Sequence, residues 1–298
     1  ASQDDRIKVV SKNNGGLSSA RNEGHKYVTG QYMMYLDSDD WMDLTTCEVA
    51  VRKAEKENAD VVFWNYIREF DTYSKPKTIF EDTEIIFDST EELQALQRRF
   101  IGLYGEELKR PENADSIVTA WGKLYRSELI INNKIEFVDT KIIGTSEDAL
   151  FNLEVFENVK KAIYVKDFFY HYRKDNLNAF TKKYKKNLFS QWCTLFEILR
   201  EHILVHDCPL SFEMALDNRI TLSVIGLGFN ILRGKDINQY KEIKKIISSQ
   251  TYRNSIKNFD ENSKIVYQKD GLDVIEYSNK NKNLITKIKN HISGEERL

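Results

Sequence analysis

The feature that most restricts the fold is the run Gln31-Tyr32-Met33-Met34-Tyr35-Leu36, which stops at Asp37-Ser38-Asp39-Asp40. The run is too apolar and aromatic for a surface segment and reads as a buried strand. Three carboxylates massed behind it repel one another unless something positive offsets them. The neighbouring signals alternate. Arg6 to Val10 reads as a strand, Lys12 to Gly16 as a loop, and Leu17 to Gly24 as a short helix capped by Ser18 or Ser19. A helix over 44–57, with Leu44, Cys47, Val51 and Ala54 inward, precedes a strand over Asp60 to Tyr66. This alternation predicts an α/β layer structure, in which ligands gather outside the carboxyl ends of the strands. The acidic turn lies at one such end.

Further along, 70–87 reads as irregular strands, 89–103 as a helix capped by Ser89 or Thr90, and 168–172 as an aromatic strand. Glu147 to Phe156 reads as a helix that buries Leu150, Leu153 and Phe156. Beyond Lys182 the chain reads as mostly helical. The expected division is therefore an α/β domain over 1–181 and a helical accessory region over 182–298. Charge supports it: 20 Lys and Arg against 14 Asp and Glu from Lys182 onward, and 24 against 32 before. A net charge of −2 gives no overall attraction to nucleic acid. A hydrophobic content of 41% excludes a disordered chain. The uncharged stretch Ile220 to Leu232 is too short to span a bilayer and reads as a buried helix. Cys47, Cys193 and Cys208 have no metal-ligand spacing. They read as small buried side chains in a reducing compartment.

Several groups carry possible chemistry. Asp37 and Asp39 suit a hard divalent cation, Mg²⁺ or Mn²⁺, which takes oxygen ligands and substrate phosphates together. The competing reading is a solvated acidic loop, or caps on the next helix from Asp40 and Asp43. Lys12, Gly15, Gly16 and Arg21 surround a helix start, where free N–H groups favour anions. Glu147 and Asp148 open a helix behind Ser146. They read either as acids complementing the dipole or as a general base. Trp121 to Arg126 and Tyr170 to Arg173 mix rings with cations, as at a core rim or a sugar-diphosphate site.

In order, KNNGGLSSARNEG (12–24), GQYMMYLDSDDW (30–41), WGKLYR (121–126), ED (147–148) and YHYR (170–173), with Thr181 beyond, resemble a bacterial family-2 glycosyltransferase. The resemblance is to the capsular-polysaccharide or teichoic-acid type and covers about the first 181 residues. It implies a GT-A-like, Rossmann-like mixed sheet flanked by helices. It also implies inverting transfer of a sugar from a nucleotide-diphosphate donor, UDP-linked by expectation, to a hydroxyl of a glycan or lipid-linked acceptor. By position, Asp37 and Asp39 correspond to the DXD motif that holds Mn²⁺ or Mg²⁺. Asp148 corresponds to the catalytic base, with Glu147 positioning it or the acceptor. Arg21 and Arg173 correspond to donor-facing cations, and Lys12 and Lys123 join them as donor contacts. The expected setting is the cytoplasm, at the inner face of the plasma membrane if the basic C-terminal region contacts anionic lipid. Competing classes are a non-catalytic carbohydrate- or nucleotide-binding module and, more distantly, a nucleotidyltransferase.

The family opens with an apolar strand, a Pro-x-Tyr-Asn type loop and a second strand ending in Asp, which together hold the nucleotide base. Residue 1 lies just before what would be the third strand, so the native chain is expected to extend N-terminally. The present chain is then expected to bind donor weakly. Calorimetry with UDP-sugars on this chain and on an N-terminally extended one tests this, and equal affinities would refute it.

Overall fold

The computed structural model describes residues 4–81, 84–174, 184–234 and 238–259. In chain order its elements begin with α1 (Leu17–His25), β1 (Tyr32–Met34), β2 (Trp41–Met42), α2 (Thr46–Glu57) and β3 (Val61–Glu69). Next come β4 (Ser74–Lys77), β5 (Glu84–Phe87), α3 (Thr90–Ile101), β6 (Lys123–Arg126), α4 (Ser127–Ile131), α5 (Thr140–Ile143), α6 (Glu147–Phe156) and β7 (Ala162–Arg173). Three helices follow: α7 (Leu188–Val205), α8 (Leu210–Leu232) and α9 (Gln239–Ser248).

The sheet is mixed, with strand order β1-β6-β3-β7-β2; β4 adds to β3 and β5 to β7. Its centre is the parallel pair β3 and β7, joined in register from Val61↔Ala162 to Glu69↔Arg173 with shifts around Asn65. Val61 to Tyr66 are buried without a break. That is what a strand covered on both faces requires, and it explains the unbroken apolar run in the sequence. β6 pairs antiparallel with β1 and β3, and β2 pairs antiparallel with the end of β7.

Several readings of local structure change. The run at 31–36 gives only the short, half-buried β1, with Leu36 exposed, and α1 starts behind Gly16 with no side-chain cap from Ser18 or Ser19. The alternating stretch Arg6 to Val10 forms no strand. A strand needs a neighbour for its N–H and C=O groups, and Ile7 and Val9 remain exposed. α2 begins at Thr46, so its buried face is Thr46, Ala50 and Ala54, while Leu44 and Cys47 are exposed. The buried positions in the first turns move back by one residue, about 100°, while Ala54 is inward in both and Val51 packs partly against the core. The small residues at 50 and 54 then let the helix lie close on the sheet. Asn58, in the left-handed region at φ 51°, ends it, and Ala59 N donates to Ala54 O at 2.8 Å. Elsewhere the capping reading at 89 is realised. Ser89 and Glu92 exchange side-chain and backbone hydrogen bonds as a capping box.

The chain divides into two compact units, Ala1–Phe100 with Ser116–Asn176, and Ile101–Asp115 with Leu177–Leu298. The first contains the sheet. The second takes in Ile101–Asp115, a segment that a linear cut at 181/182 leaves with the sheet. Within the second unit α7 and α8 bury Leu195, Phe196, Leu199, Phe212, Leu216 and Ile220. Gly102 passes so close to α8 that an added Cβ would meet Ala215 O at 2.2 Å. Among the described residues no helix is long and apolar enough to cross a membrane. The basic segment Leu284 to Ile292 and Thr181 lie outside the described residues.

Asp60 ties three strands at their ends. Its carboxylate accepts from Arg126 Nε at 3.0 Å and from Lys160 N and Lys161 N at 2.8 and 3.2 Å. Asp60→Ala leaves those donors unpaired and is expected to lower stability by about 2–3 kcal/mol, read by urea unfolding of the whole chain.

Candidate functional site

The acidic turn is built by the end of β7. After β1 the chain leaves the sheet at Tyr35, buried against Phe137 and Phe151, and turns with Asp40 N donating to Asp37 O at 3.1 Å. β2 then pairs with Tyr170 and His171. The Tyr170 hydroxyl accepts from Asp37 N at 3.2 Å and donates to Asp40 Oδ2 at 2.7 Å. Arg173 N donates to Asp40 Oδ1 at 2.9 Å. Both oxygens of Asp40 are thus consumed in holding the turn. Burial pushes its carboxyl up to about 6, opposed by the Arg173 and Tyr170 hydrogen bonds and reinforced by Asp39 and Asp37. Trp121 lies flat on Tyr170, with ring centres 4.4 Å apart, and fixes the hydroxyl's position.

Arg21 reaches the turn from α1. Gly16, at φ 86°, swings the Lys12–Gly16 loop into that helix, and Gly16 N donates to Asn14 Oδ1 at 3.0 Å. The Arg21 side chain is 7% exposed and spans two carboxylates: Nη2 donates to Asp37 Oδ1 at 2.8 Å and Nη1 to Asp148 Oδ1. Its guanidinium also lies over the Phe137 ring at 4.9 Å. Burial alone would lower its pKa; the attraction of Asp148 and Asp37 outweighs that, and the net shift is upward.

Asp148 sits in the first turn of α6, behind Ser146 at φ 71°. Its second oxygen, Oδ2, accepts from Ala120 N at 2.9 Å. Glu147 beside it is partly exposed. The structure therefore brings Arg21, Asp37 and Asp148 into one cluster, with Asp39 on the same turn. The remaining sequence candidates lie otherwise. Arg173 contributes its backbone N–H to the turn, and its guanidinium lies over exposed Trp41 at 5.8 Å. Lys12 is exposed and donates to Ser19 Oγ at 2.6 Å. Lys123 is 2% exposed and points inward, donating to Ile117 O at 2.7 Å and to Thr119 O, rather than toward a surface donor site. Sequence reasoning passed over Tyr170 as an acceptor-donor bridge and Asn152 as a partner of Asp148 O at 2.9 Å. The Asn152 spacing of one helical turn was the available signal.

Asp37 and Asp39 are the residues of this turn that could hold a hard divalent cation. Asp37 Oδ2 takes no protein donor among the described residues, Asp39 stands on the same turn, and both offer carboxylate oxygen. The three acids together raise the Tyr172 pKa after burial has done so, the mark of concentrated negative potential.

Residues 1–130 match the family described as Glycosyl transferase family 2. Over those residues the chain is similar to family-2 glycosyltransferases. It is 29% identical to "Putative glycosyltransferase EpsH" of Bacillus subtilis (strain 168), over 74% of this chain and 60% of that protein. It is also 29% identical to "Poly(ribitol-phosphate) beta-N-acetylglucosaminyltransferase TarP" of Staphylococcus aureus (strain N315), over 56% of this chain and 44% of that protein. The chain thus spans less than two thirds of the length of these relatives, 60% and 44%. Among solved structures, S. aureus TarS 1-349 in complex with UDP-GlcNAc superposes with a TM-score of 0.52 at 15% identity, over 87% of this chain and 73% of that one. That likeness shows a GT-A-like fold, followed along the chain by helices.

Arg21→Lys tests the bridge. A point-like ammonium cannot serve two carboxylates as a planar fork does. The expected cost is about 2–3 kcal/mol in urea unfolding, close to that of Arg21→Met; full stability of the lysine variant would contradict the bridge.

Proposed function

We propose that this domain is the catalytic part of an inverting, metal-assisted glycosyltransferase acting in the cytoplasm. It would move a sugar from a nucleotide-diphosphate donor, UDP-linked, to a hydroxyl of a surface polysaccharide, teichoic acid or lipid-linked glycan precursor. The observation that carries this reading is Arg21, which joins a carboxylate of the strand-end motif to the carboxylate that opens α6. The bridge puts a candidate diphosphate-facing residue and a candidate base in one cluster. The TarS complex, whose ligand is UDP-GlcNAc, and the TarP relative support the donor and acceptor classes.

In this reading Asp148, held at both oxygens, takes the proton of the acceptor hydroxyl as its oxygen bonds to the anomeric carbon. The bond from that carbon to the diphosphate oxygen breaks on the opposite face, as in inverting hydrolysis with a sugar alcohol in place of water. Glu147 lies beside the base, to position it or the acceptor. Arg21 faces the donor side, and Arg173 and Lys12 are further cations for the diphosphate. Asp37 and Asp39 would hold Mn²⁺ or Mg²⁺, which when bound offsets charge on the leaving diphosphate. The basic C-terminal region suits contact with an anionic membrane face.

Asp148→Asn in the full-length protein, assayed with a panel of UDP-sugars and Mn²⁺, is expected to reduce turnover by about 10²–10⁴-fold. Donor affinity should stay near the parent value by calorimetry. Unchanged turnover would remove Asp148 from this role, and absence of turnover in the parent would favour a binding module.

A further inference from the structure

Beneath Asp148 lies a buried amine that the chemistry above does not use. Lys123 opens β6, and its Nζ donates to Ile117 O at 2.7 Å and to Thr119 O. Asn152, one turn along α6 from Asp148, donates through Nδ2 to Val118 O at 2.8 Å and also approaches Thr119 O at 3.3 Å. The single proton of the Tyr125 hydroxyl is shared between Asn152 Oδ1 at 2.8 Å and Ala120 O at 3.1 Å. Four successive carbonyls, 117 through 120, therefore each face a buried polar side chain. The N–H at the end of this strap, Ala120 N, is the one that donates to Asp148 Oδ2 at 2.9 Å.

We infer that Lys123 is a positioning residue for Asp148: its amine clamps the 117–120 strap, so that Ala120 N–H holds the carboxylate in one orientation. Burying an amine is expensive, and an apolar chain of the same length would fill the space at lower cost. What the amine adds is an N–H donor for Ile117 O, which would otherwise be left unpaired, and a second one for Thr119 O beside Asn152. Burial pushes Lys123 down to about 7 while Asp148 pulls it back up, so the two groups sense each other. The charged and titratable groups around the strap are Asp148, Arg21, Tyr125 and Tyr35.

The inference rests on Asp148 as base, but its test separates the two. Carboxylate carbon NMR of the full-length protein reads the Asp148 titration directly, with Asp148→Asn assigning the signal. In Lys123→Met the Asp148 midpoint is expected to move up by about one pH unit, because a cation and a clamped N–H donor are both weakened. Turnover of UDP-GlcNAc with Mn²⁺ is expected to fall about tenfold or more, with KM within about twofold. An unmoved midpoint in folded Lys123→Met overturns the inference. If that variant does not fold, Lys123→Gln gives the same comparison. In the parent protein the Ala120 amide proton is expected to follow the Lys123 titration near pH 7; a flat response there overturns the inference as well. A moved midpoint with Asp148→Asn fully active would leave the positioning intact and remove the base.

Discussion

The structure of the first unit depends on one guanidinium held between two carboxylates. Arg21 is 16 residues from Asp37 and 127 from Asp148, so this single side chain fastens a helix, a strand-end turn and a second helix to each other. Each of these ions, taken alone into a partly buried site, costs several kcal/mol. Together they satisfy one another, and the Phe137 face and the Ala120 N–H complete the set. The consequence is all-or-none: removing the cation leaves two acids facing each other, and removing either acid leaves a buried charge half paired.

The acidic turn shows how three similar residues acquire different duties. Asp40 is spent on Tyr170 and the Arg173 backbone, Asp37 shares one oxygen with Arg21, and Asp39 stands between them. The sorting is done by β7, whose last residues pair with β2 and present the Tyr170 hydroxyl under the turn. Local sequence cannot assign these roles, because the partners of Asp40 come from 130 and 133 residues away.

Much of the scaffold was nonetheless legible. The mostly apolar run at 61–66 and the acidic start of α6 each carry a local signal strong enough to survive folding, whereas the strand before Asp37 shrinks to Tyr32–Met34, half-buried, with Leu36 exposed. The family motifs placed Arg21, Asp37 and Asp148 in one site before any geometry was known. What failed depended on phase or on partners. The inward face of α2 was offset by one residue at its first turns, with Ala54 kept, and the alternation at 6–10 meant nothing without a strand to pair with. Lys123 was read as a core-rim cation or, by resemblance, a donor contact, and its buried position carries no local signal. Its partners are backbone carbonyls, which no side-chain pattern announces.

The two buried cations also explain why they are not the same residue. Two carboxylates on either side of one point require donors fixed in a plane and a charge that survives burial, which a guanidinium supplies. Neighbouring carbonyls of one strap require closely spaced donors on a slender stem, and carry no formal charge to balance a permanent one. An ammonium group meets that need while burial weakens its hold on the proton. Exchanging the two would put a titrating amine between Asp37 and Asp148 and a permanent, bulky cation among uncharged acceptors. The site thus keeps its permanent positive charge where the acids are and its adjustable one a layer beneath, against the strap that orients Asp148.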